Sequence, residues 1–542
     1  MMPGAPIMVH ALLVLAQACA FVLLGVGLYP RLVARGGNHH PALRVGGGFF
    51  LGASLFLAAW RLASALSGEA RLSLYVVATA LCAICALEHG SIPSLLRSPR
   101  LRRGLGYAAI WLILAEVVVA SVWLRLYDGS DHSQLYGGIA SYVFSKNMIP
   151  VLGMHYGQSM LSASISLISS SNLHNLSLHL FLTISVFMLG VTFYGALRTY
   201  LFSPTMSAAG TFVLMFGNYA LTTVHGVSIS TLSPNIICGY SDDIMSMGSF
   251  TFFTIWLDSY FSHEESQVPR PDFTLLCPAI LGASWNLTAP QNILSGLALL
   301  SSLPILFSML RPRWLKRSVF LLAVFTISFL ATSQLGGAFS TRARQDPAFT
   351  SITSAQYRFN PEIPFAIGRT AIAPLWHIRP AFDGGFPAVL IWQVEESLWS
   401  GLRICFFPIA GIVLLWIQLH GREPDSGPIT MQPLKRFLPV AAITFASGFG
   451  LAFLVDFAPP FDKWGLNKFM VNSFVLGMFA LLAAFRLHLG KADTLRRRVC
   501  IAFAIFLITA PPLISIATAV GHSVTAPQHL EAFPKRVAVL AR

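Results

Sequence analysis

A helix that crosses a bilayer needs about 20 apolar residues, and this chain supplies runs of that length from one end to the other. About fourteen are legible, over residues 7–29, 45–67, 72–92, 106–127, 176–200, 207–224, 244–261, 273–286, 290–310, 318–336, 401–419, 438–456, 471–489 and 500–520. Cys277-Pro278 and Ala289-Pro290 interrupt the pair over 273–310, whose first half is short. The expected fold class is therefore an all-α polytopic membrane protein of about 14 transmembrane helices. Composition agrees: 11% of the 542 residues are charged and 55% are hydrophobic, against about 25% charged in a soluble domain. The N-terminal run lacks a basic n-region and is longer than a signal-peptide core, so it reads as a first spanning helix.

The net charge of +14 does not imply nucleic acid, because Lys and Arg sit in short connections and form no single stripe. They read as topology signals. Arg31, Arg35 and Arg44 follow the first run, and Arg97, Arg100, Arg102 and Arg103 follow the third. Arg311, Arg313, Lys316 and Arg317 follow the ninth, and Arg422, Lys435 and Arg436 follow the eleventh. Lys491, Arg496, Arg497 and Arg498 follow the thirteenth. Odd connections are thus expected in the cytoplasm, with even connections and both termini outside. Arg61, Glu88, Glu116 and Asp258 fall in or near apolar runs and read mainly as structural charges able to pair within the bundle, such as Arg61 with Glu88 or Glu116, although a transport pathway uses the same residue types. Of the seven cysteines, Cys82 and Cys85 have CxxC spacing inside an expected helix, where a buried thiol pair is favoured over a redox or zinc site. No Walker A, dinucleotide fingerprint, HExxH or GxSxG stands in a supporting context, so neither ATP hydrolysis nor dinucleotide binding is expected.

Two outward segments, about 128–175 and 337–400, exceed the length of simple turns. The first contains two amphipathic stretches, Tyr136 to Ile149 and about 151–170, both of which would lie flat in the interface. It opens on Asp128-Gly-Ser-Asp131-His132, directly after an apolar run. Ionisable groups there mark a functional site. Asp131 would act as general base or orient an acceptor hydroxyl. Asp128, Asp131 and His132 together would alternatively ligate a divalent metal, Mg or Mn. The structural alternative is a turn at Asp128 and an N-cap at Asp131. His155, Tyr156 and Gln158 offer donors and an aromatic face to a sugar or lipid headgroup, or else belong to an interfacial aromatic belt. A second outward loop ends in Asp242 and Asp243, which either join the first acidic loop or cap the next helix. The second long segment carries Arg342, Arg344, Arg358, Arg369 and Arg379 without a lysine, suited to bidentate phosphate binding or to ion pairs with the local acids. Trp376, His377 and Trp392 would add a stacking surface for a sugar, or an interfacial belt.

From about residue 105 to 310 the order is spanning helix, acidic outward loop, amphipathic stretches, then short-looped helices with a second acidic loop. In this order, and in the run YDGSDHSQLYGGIASYVFSKNMIPVLGMHYGQS, the chain resembles the GT-C superfamily of integral-membrane glycosyltransferases. The resemblance implies a catalytic Asp131 or Asp128, with Asp242 and Asp243 as the second-loop acids. It also implies a polyprenyl-phosphate-linked sugar as donor. Residues 1–104 would then be an N-terminal addition, 105–336 the GT-C-like core, 337–400 a periplasmic segment and 401–542 a C-terminal helical part. The expected activity is transfer of the sugar to a cell-envelope glycan or lipid acceptor on the periplasmic face of a bacterial inner membrane. The alternatives are a polysaccharide polymerase or ligase with a lipid-pyrophosphate donor, and a lipid-glycan flippase or transporter with broken helices.

Overall fold

Prolines, caps and left-handed residues punctuate the apolar runs where the sequence places them. In the computed structural model, the second helix opens at Pro41 behind His40, whose Nδ1 accepts the Ala42 N–H at 3.2 Å. It ends at Gly68, where φ is +75°. Ser203 caps a later helix that opens at Pro204, its Oγ accepting from the Met206 N–H at 3.3 Å. These are the proline-in, glycine-out boundaries expected of helices. The structure describes residues 5–32, 39–87, 95, 97–126, 131–200, 202–217, 241–262, 274–310, 312–340, 357–359, 405–420, 432–457 and 465–489. Single positions 495, 499, 502, 505, 506 and 510 are also described.

The helices are α1 (Ala5–Leu32), α2 (Pro41–Ser67), α3 (Ala70–Leu87), α4 (Pro99–Leu126), α5 (Asp131–Lys146), α6 (Gly157–Ser169), α7 (His174–Thr199) and α8 (Pro204–Phe216). They continue with α9 (Ser241–Ser262), α10 (Leu276–Thr288), α11 (Pro290–Leu310), α12 (Pro312–Ser333), α13 (Phe406–His420), α14 (Gln432–Leu454) and α15 (Gly465–Leu489). Each of the first thirteen expected runs holds a helix, and the run over 500–520 falls almost wholly outside the described residues. Six described helices are long and apolar enough to cross a membrane: Ile7–Leu32, Pro41–Ser67, His174–Thr199, Trp314–Ser333, Pro433–Leu451 and Val471–His488. The chain is thus an α-helical polytopic membrane protein, with one small ladder among the described residues. There, β1 (Tyr357–Phe359) pairs antiparallel with β2 (Val455–Phe457), in a register that sets Arg358 opposite Asp456.

Glycines let the backbones approach where helices cross. A Cβ on Gly52 of α2 would sit 2.1 Å from the Phe21 carbonyl of α1, and one on Gly195 of α7 would sit 2.1 Å from the Leu43 nitrogen of α2. Small residues at such crossings are how helices associate in lipid, where burial of apolar surface gives no preference for a neighbouring helix over a lipid tail. One continuous apolar cluster then runs from Val14 to Ala484.

Interhelical contacts sort the helix ends into two sets. At one end, Trp256 donates to the Leu32 carbonyl (2.8 Å), the His40 N–H to Thr199 (3.2 Å), and Arg486 to the Tyr200 carbonyl (2.5 Å). The basic connections belong to this end: Arg317 lies over the Tyr260 ring and Arg436 pairs with Asp258 at 2.5 Å. At the opposite end the Ala70 N–H donates to Asn147, the Gly337 N–H to Leu152, and His10 bonds Ser171. The segregation is the one the charge pattern predicts.

Two expectations are corrected. The stretch over 151–170 does not lie flat in an interface, because α6 is buried from Gly157 to Leu167. Its polar residues are mainly serines, small enough to pack and able to satisfy themselves inside the bundle. Ser162 donates to the His174 carbonyl at 2.9 Å and Ser164 to the Leu161 carbonyl at 2.7 Å. Cys82 and Cys85 are not a buried pair either: Cys82 is exposed and Cys85 half-buried on the outer surface of the bundle.

The α1–α2 connection has a pH consequence. His39 bonds the Tyr29 hydroxyl and His40 caps α2. Burial, reinforced by Arg44, lowers His39 to about 4. Burial, then Arg198 and Arg100, lowers His40 to about 4. The unfolded rings bind protons below their ordinary 6.5, while the folded rings stay neutral. Stability is therefore full above pH 6.5 and declines as pH falls toward about 4. The melting temperature of the purified protein should drop over that window. It should drop less in His39→Gln/His40→Asn, where an uncharged residue keeps a cap; an equal drop in that variant would rule out these histidines as the cause.

Candidate functional site

The acidic loop after α4 leads into α5, so Asp131 and His132 form the first turn of that helix. The side chains of these two residues lie outside the described set, and Asp128 lies outside it altogether. Asp242 and Asp243 stand likewise in the first turn of α9, with side chains outside the described set. Helix N-termini favour carboxylates, so the backbone placement fits the capping alternative as well as the catalytic one. Arg342, Arg344, Arg369, Trp376, His377, Arg379 and Trp392 lie outside the described residues, and Arg358 is placed only by the β1–β2 register. Among the described residues no group of three or more His, Cys, Asp or Glu is arranged to hold a metal.

The described side chains begin one turn further along α5. One turn into α5, Tyr136 is buried, and its hydroxyl bonds the His155 Nε2 at 2.7 Å. This joins two constellations that stand 19 residues apart. His155, Tyr156 and Gln158 are all buried, Tyr156 completely. Burial sets them inside the bundle and not on an exposed face, His155 and Tyr156 just before α6 and Gln158 in its first turn. Burial pushes the Tyr156 phenol up, and the neighbouring Arg61 guanidinium opposes the shift.

Arg61 sits near the end of α2 and is 3% exposed. The carboxylates expected as its partners, Glu88 and the Glu116 side chain, lie outside the described set; among the described residues Arg61 donates to backbone carbonyls. Nη1 reaches the Ile149 carbonyl at 3.4 Å, and Nη2 bonds the Leu335 carbonyl. Arg61 thus ties the loop after α5 to the loop after α12.

Asn286, in the last turn of α10, strengthens the same junction. Its Nδ2 donates to the Gly336 carbonyl at 2.7 Å, and its Oδ1 accepts the Phe339 N–H at 3.0 Å. Its own carbonyl accepts the Ala338 N–H at 3.1 Å. Gly336 and Gly337 have φ of +124° and +106°, a region open to glycine alone among common residues. A Cβ on Gly336 would meet the Tyr156 hydroxyl at 2.5 Å, and one on Gly337 the Asn286 amide at 2.3 Å.

Beside this junction, α10 and α11 turn back on each other at Ala289. Gly282 before the turn and Gly296 after it both pack on Phe325 of α12. A second polar node sits just past the turn. Asn292 of α11 accepts from Ser246 of α9 (2.5 Å) and from Asn472 of α15 (2.6 Å), and donates to Ser249 (3.2 Å). Trp285 donates to Ser249 at 2.9 Å. The sequence reading missed Tyr136, Asn286, Asn292 and Asn472. The available signal was the run Asn286-Leu-Thr-Ala-Pro-Gln-Asn292, an amide pair inside an apolar stretch.

Removing the Asn286 amide leaves two backbone groups of the 336–339 loop without partners. Asn286→Ala should cost on the order of 2–4 kcal/mol and raise protease susceptibility of that loop in the purified protein. Unchanged melting and cleavage would mean that the loop is held by Arg61 alone. The chain matches no family model, no curated protein and no solved structure.

Proposed function

We propose that the chain is a membrane glycosyltransferase, working at the end of the bundle opposite its basic connections. The observation that carries the reading is the Tyr136–His155 hydrogen bond. It fixes the helix that begins at Asp131 onto a buried, side-chain-braced floor, as a catalytic carboxylate on a loop requires. In this reading the donor is a polyprenyl-phosphate-linked sugar, and the acceptor is a cell-envelope glycan or lipid. Asp131 takes the proton of the acceptor hydroxyl, whose oxygen bonds the anomeric carbon as the bond from that carbon to the phosphate oxygen breaks. Polyprenyl phosphate leaves with the electron pair, its charge met by arginines of the 337–400 segment. Asp128, Asp242 and Asp243 complete the acidic surround. In this reading about fourteen spans rest on the apolar run lengths, the outward-facing site on the charge pattern, and a bacterial inner membrane on the family resemblance.

A second reading is transport of a lipid-linked glycan. The tight α10–α11 hairpin and the neutral polar node at Asn292 favour it, because interrupted helices and intramembrane polar groups also line transport routes. The two readings separate in one assay. The purified protein should move the sugar from donor to acceptor, and Asp131→Asn should slow that step by roughly 10²–10⁴-fold. Surface glycans of the deletion strain, read by mass spectrometry, should be restored by the wild type and not by well-expressed Asp131→Asn. Restoration by both would remove Asp131 from the chemistry. Glycan restoration without any transfer by purified protein would select transport.

A further inference from the structure

At the end that carries the basic connections, helices distant in sequence bring arginines to one corner. The opening of α4 holds Arg100 and Arg103, both exposed, and the last turn of α7 holds the half-buried Arg198. Close packing sets α4 against its neighbours: a Cβ on Gly104 would sit 3.1 Å from both the Ala42 methyl of α2 and the Tyr194 ring of α7. His40 meets Tyr194 edge-on with ring centroids 5.7 Å apart, and Tyr107 of α4 lies 5.6 Å from the same ring. The charges converge on these rings. Arg198 and Arg100 are within electrostatic reach of His40, and Arg198 and Arg103 of Tyr194. Arg198 donates to the Phe202 carbonyl, while its Nε is enclosed without a hydrogen-bond partner. No carboxylate among the described residues pairs with any of the three; the ion pair described at this end is Arg436 with Asp258. The segments 31–44, 88–103 and 198–203 together hold eight arginines against one acid, Glu88.

A topology signal needs only positive charge in water near a helix end. Gathering like charges at a half-buried corner goes further, because each repels the others, and an anion from outside offsets that repulsion. The helix below the corner indicates which anion. Arg103, Gly106, Ile110 and Ile113 recur every three or four residues, so they share one face of α4, and all four are exposed. From Arg103 to Ile113 the helix rises about 15 Å, half of the roughly 30 Å hydrocarbon core. A phospholipid has the same layout, with charge at one end and one leaflet of acyl chain beneath it. Gly106 leaves room beside that face. Gly104 is small because α2 and α7 press on it, but a Cβ on Gly106 would meet nothing within 4 Å. Glycine inside a helix is destabilising relative to alanine, and no packing among the described residues calls for this one. We propose that Arg100, Arg103 and Arg198 bind the headgroup phosphate of an anionic phospholipid in the leaflet at the basic end, with an acyl chain lying along Gly106, Ile110 and Ile113 of α4. Guanidinium forks match phosphate oxygens two at a time, and basic pockets between transmembrane helices hold such headgroups. The lipid ties α4 to α7, and it reaches the α1–α2 connection through His40, whose N–H bonds Thr199 of α7. The proposal stands whether or not the chain transfers a sugar, because occupancy is measurable without turnover.

The test is thermal unfolding of the full purified chain in detergent titrated with phosphatidylglycerol. Phosphatidylcholine and inorganic phosphate, at equal ionic strength, are the comparison probes. Phosphatidylglycerol should raise the melting temperature and the other two should not. Arg100→Gln/Arg103→Gln should raise the half-saturating phosphatidylglycerol roughly twenty-five-fold, about fivefold for each charge lost. Lys316→Gln/Lys435→Gln removes two exposed charges from the same end and should leave the half-saturation nearly unchanged. Gly106→Leu fills the gap at an exposed helical position, so the lipid-free melting temperature should hold or rise while the phosphatidylglycerol response weakens. That variant keeps the test decisive should the double arginine variant fail to fold. No response of the wild type to phosphatidylglycerol would overturn the proposal, and so would an equal loss in the lysine variant, which marks general surface charge. A matching response to inorganic phosphate, which marks a free-anion site, or an undiminished response in Gly106→Leu would overturn it as well.

Discussion

Lipid offers the backbone no hydrogen bonds, and the rest of the structure depends on that constraint. Every N–H and C=O that leaves a helix within the apolar zone must find a partner inside the protein. Helices solve the problem for themselves; the turns between them do not. At the end opposite the basic connections, side chains solve it. Asn286 and Arg61 satisfy carbonyls or N–H groups of the 335–339 loop. Asn147 serves the start of α3 by receiving the Ala70 and Arg71 N–H groups, both at 2.7 Å. Each unpaired group would otherwise cost about 1–3 kcal/mol, so a few long side chains decide whether these loops keep one shape.

The two ends of the bundle are built differently, and charge explains why. The basic end carries its arginines near water and uses an ion pair, Arg436 with Asp258, and ring contacts such as Arg317 over Tyr260. The opposite end uses neutral amides, hydroxyls and imidazoles, with Arg61 the described cation drawn furthest inside it. Neutral groups bond without the desolvation cost of an ion. An end made of them can be buried deeply while staying polar.

Apolar run length made the helices legible, and the structure adds boundaries at Pro41, Gly68 and Pro204 that the runs over 45–67 and 207–224 did not mark. Side-chain partnerships were less legible, for physical reasons. The described partners of Arg61 are the Ile149 and Leu335 carbonyls, groups that every residue possesses and no sequence pattern marks. The α6 stretch was read as interfacial because its serines alternate with apolar residues. A serine that returns its hydroxyl to a backbone carbonyl, as Ser164 does to Leu161, counts as polar by composition and as nearly apolar by packing. The Tyr136–His155 bond crosses a turn whose geometry no local rule gives. Asp131 was legible as the start of a polar loop, and as the first residue of α5 it is placed where a cap or a catalytic carboxylate would both stand.

The Asn292 node shows what such buried amides are for. Interhelical hydrogen bonds in membrane proteins average about 0.6 kcal/mol, so the handful made by Asn292, Ser246, Ser249 and Asn472 gives only a small net gain. Against it stands the Asn472 Oδ1, buried without a donor, at a cost of about 1–3 kcal/mol. Gain and cost are of the same size, so the node does not exist to stabilise the bundle. Its effect is selective. Sliding α11 along α9 or α15 by one turn would leave every amide group unpaired in an apolar layer, and that penalty falls on the wrong registers alone. The node therefore fixes where the α10–α11 hairpin docks. The hairpin turn in turn places Asn286, and Asn286 holds the loop whose Leu335 carbonyl anchors Arg61. The polar groups at this end thus form one dependent series, from a register-setting amide inside the bundle to the buried cation Arg61.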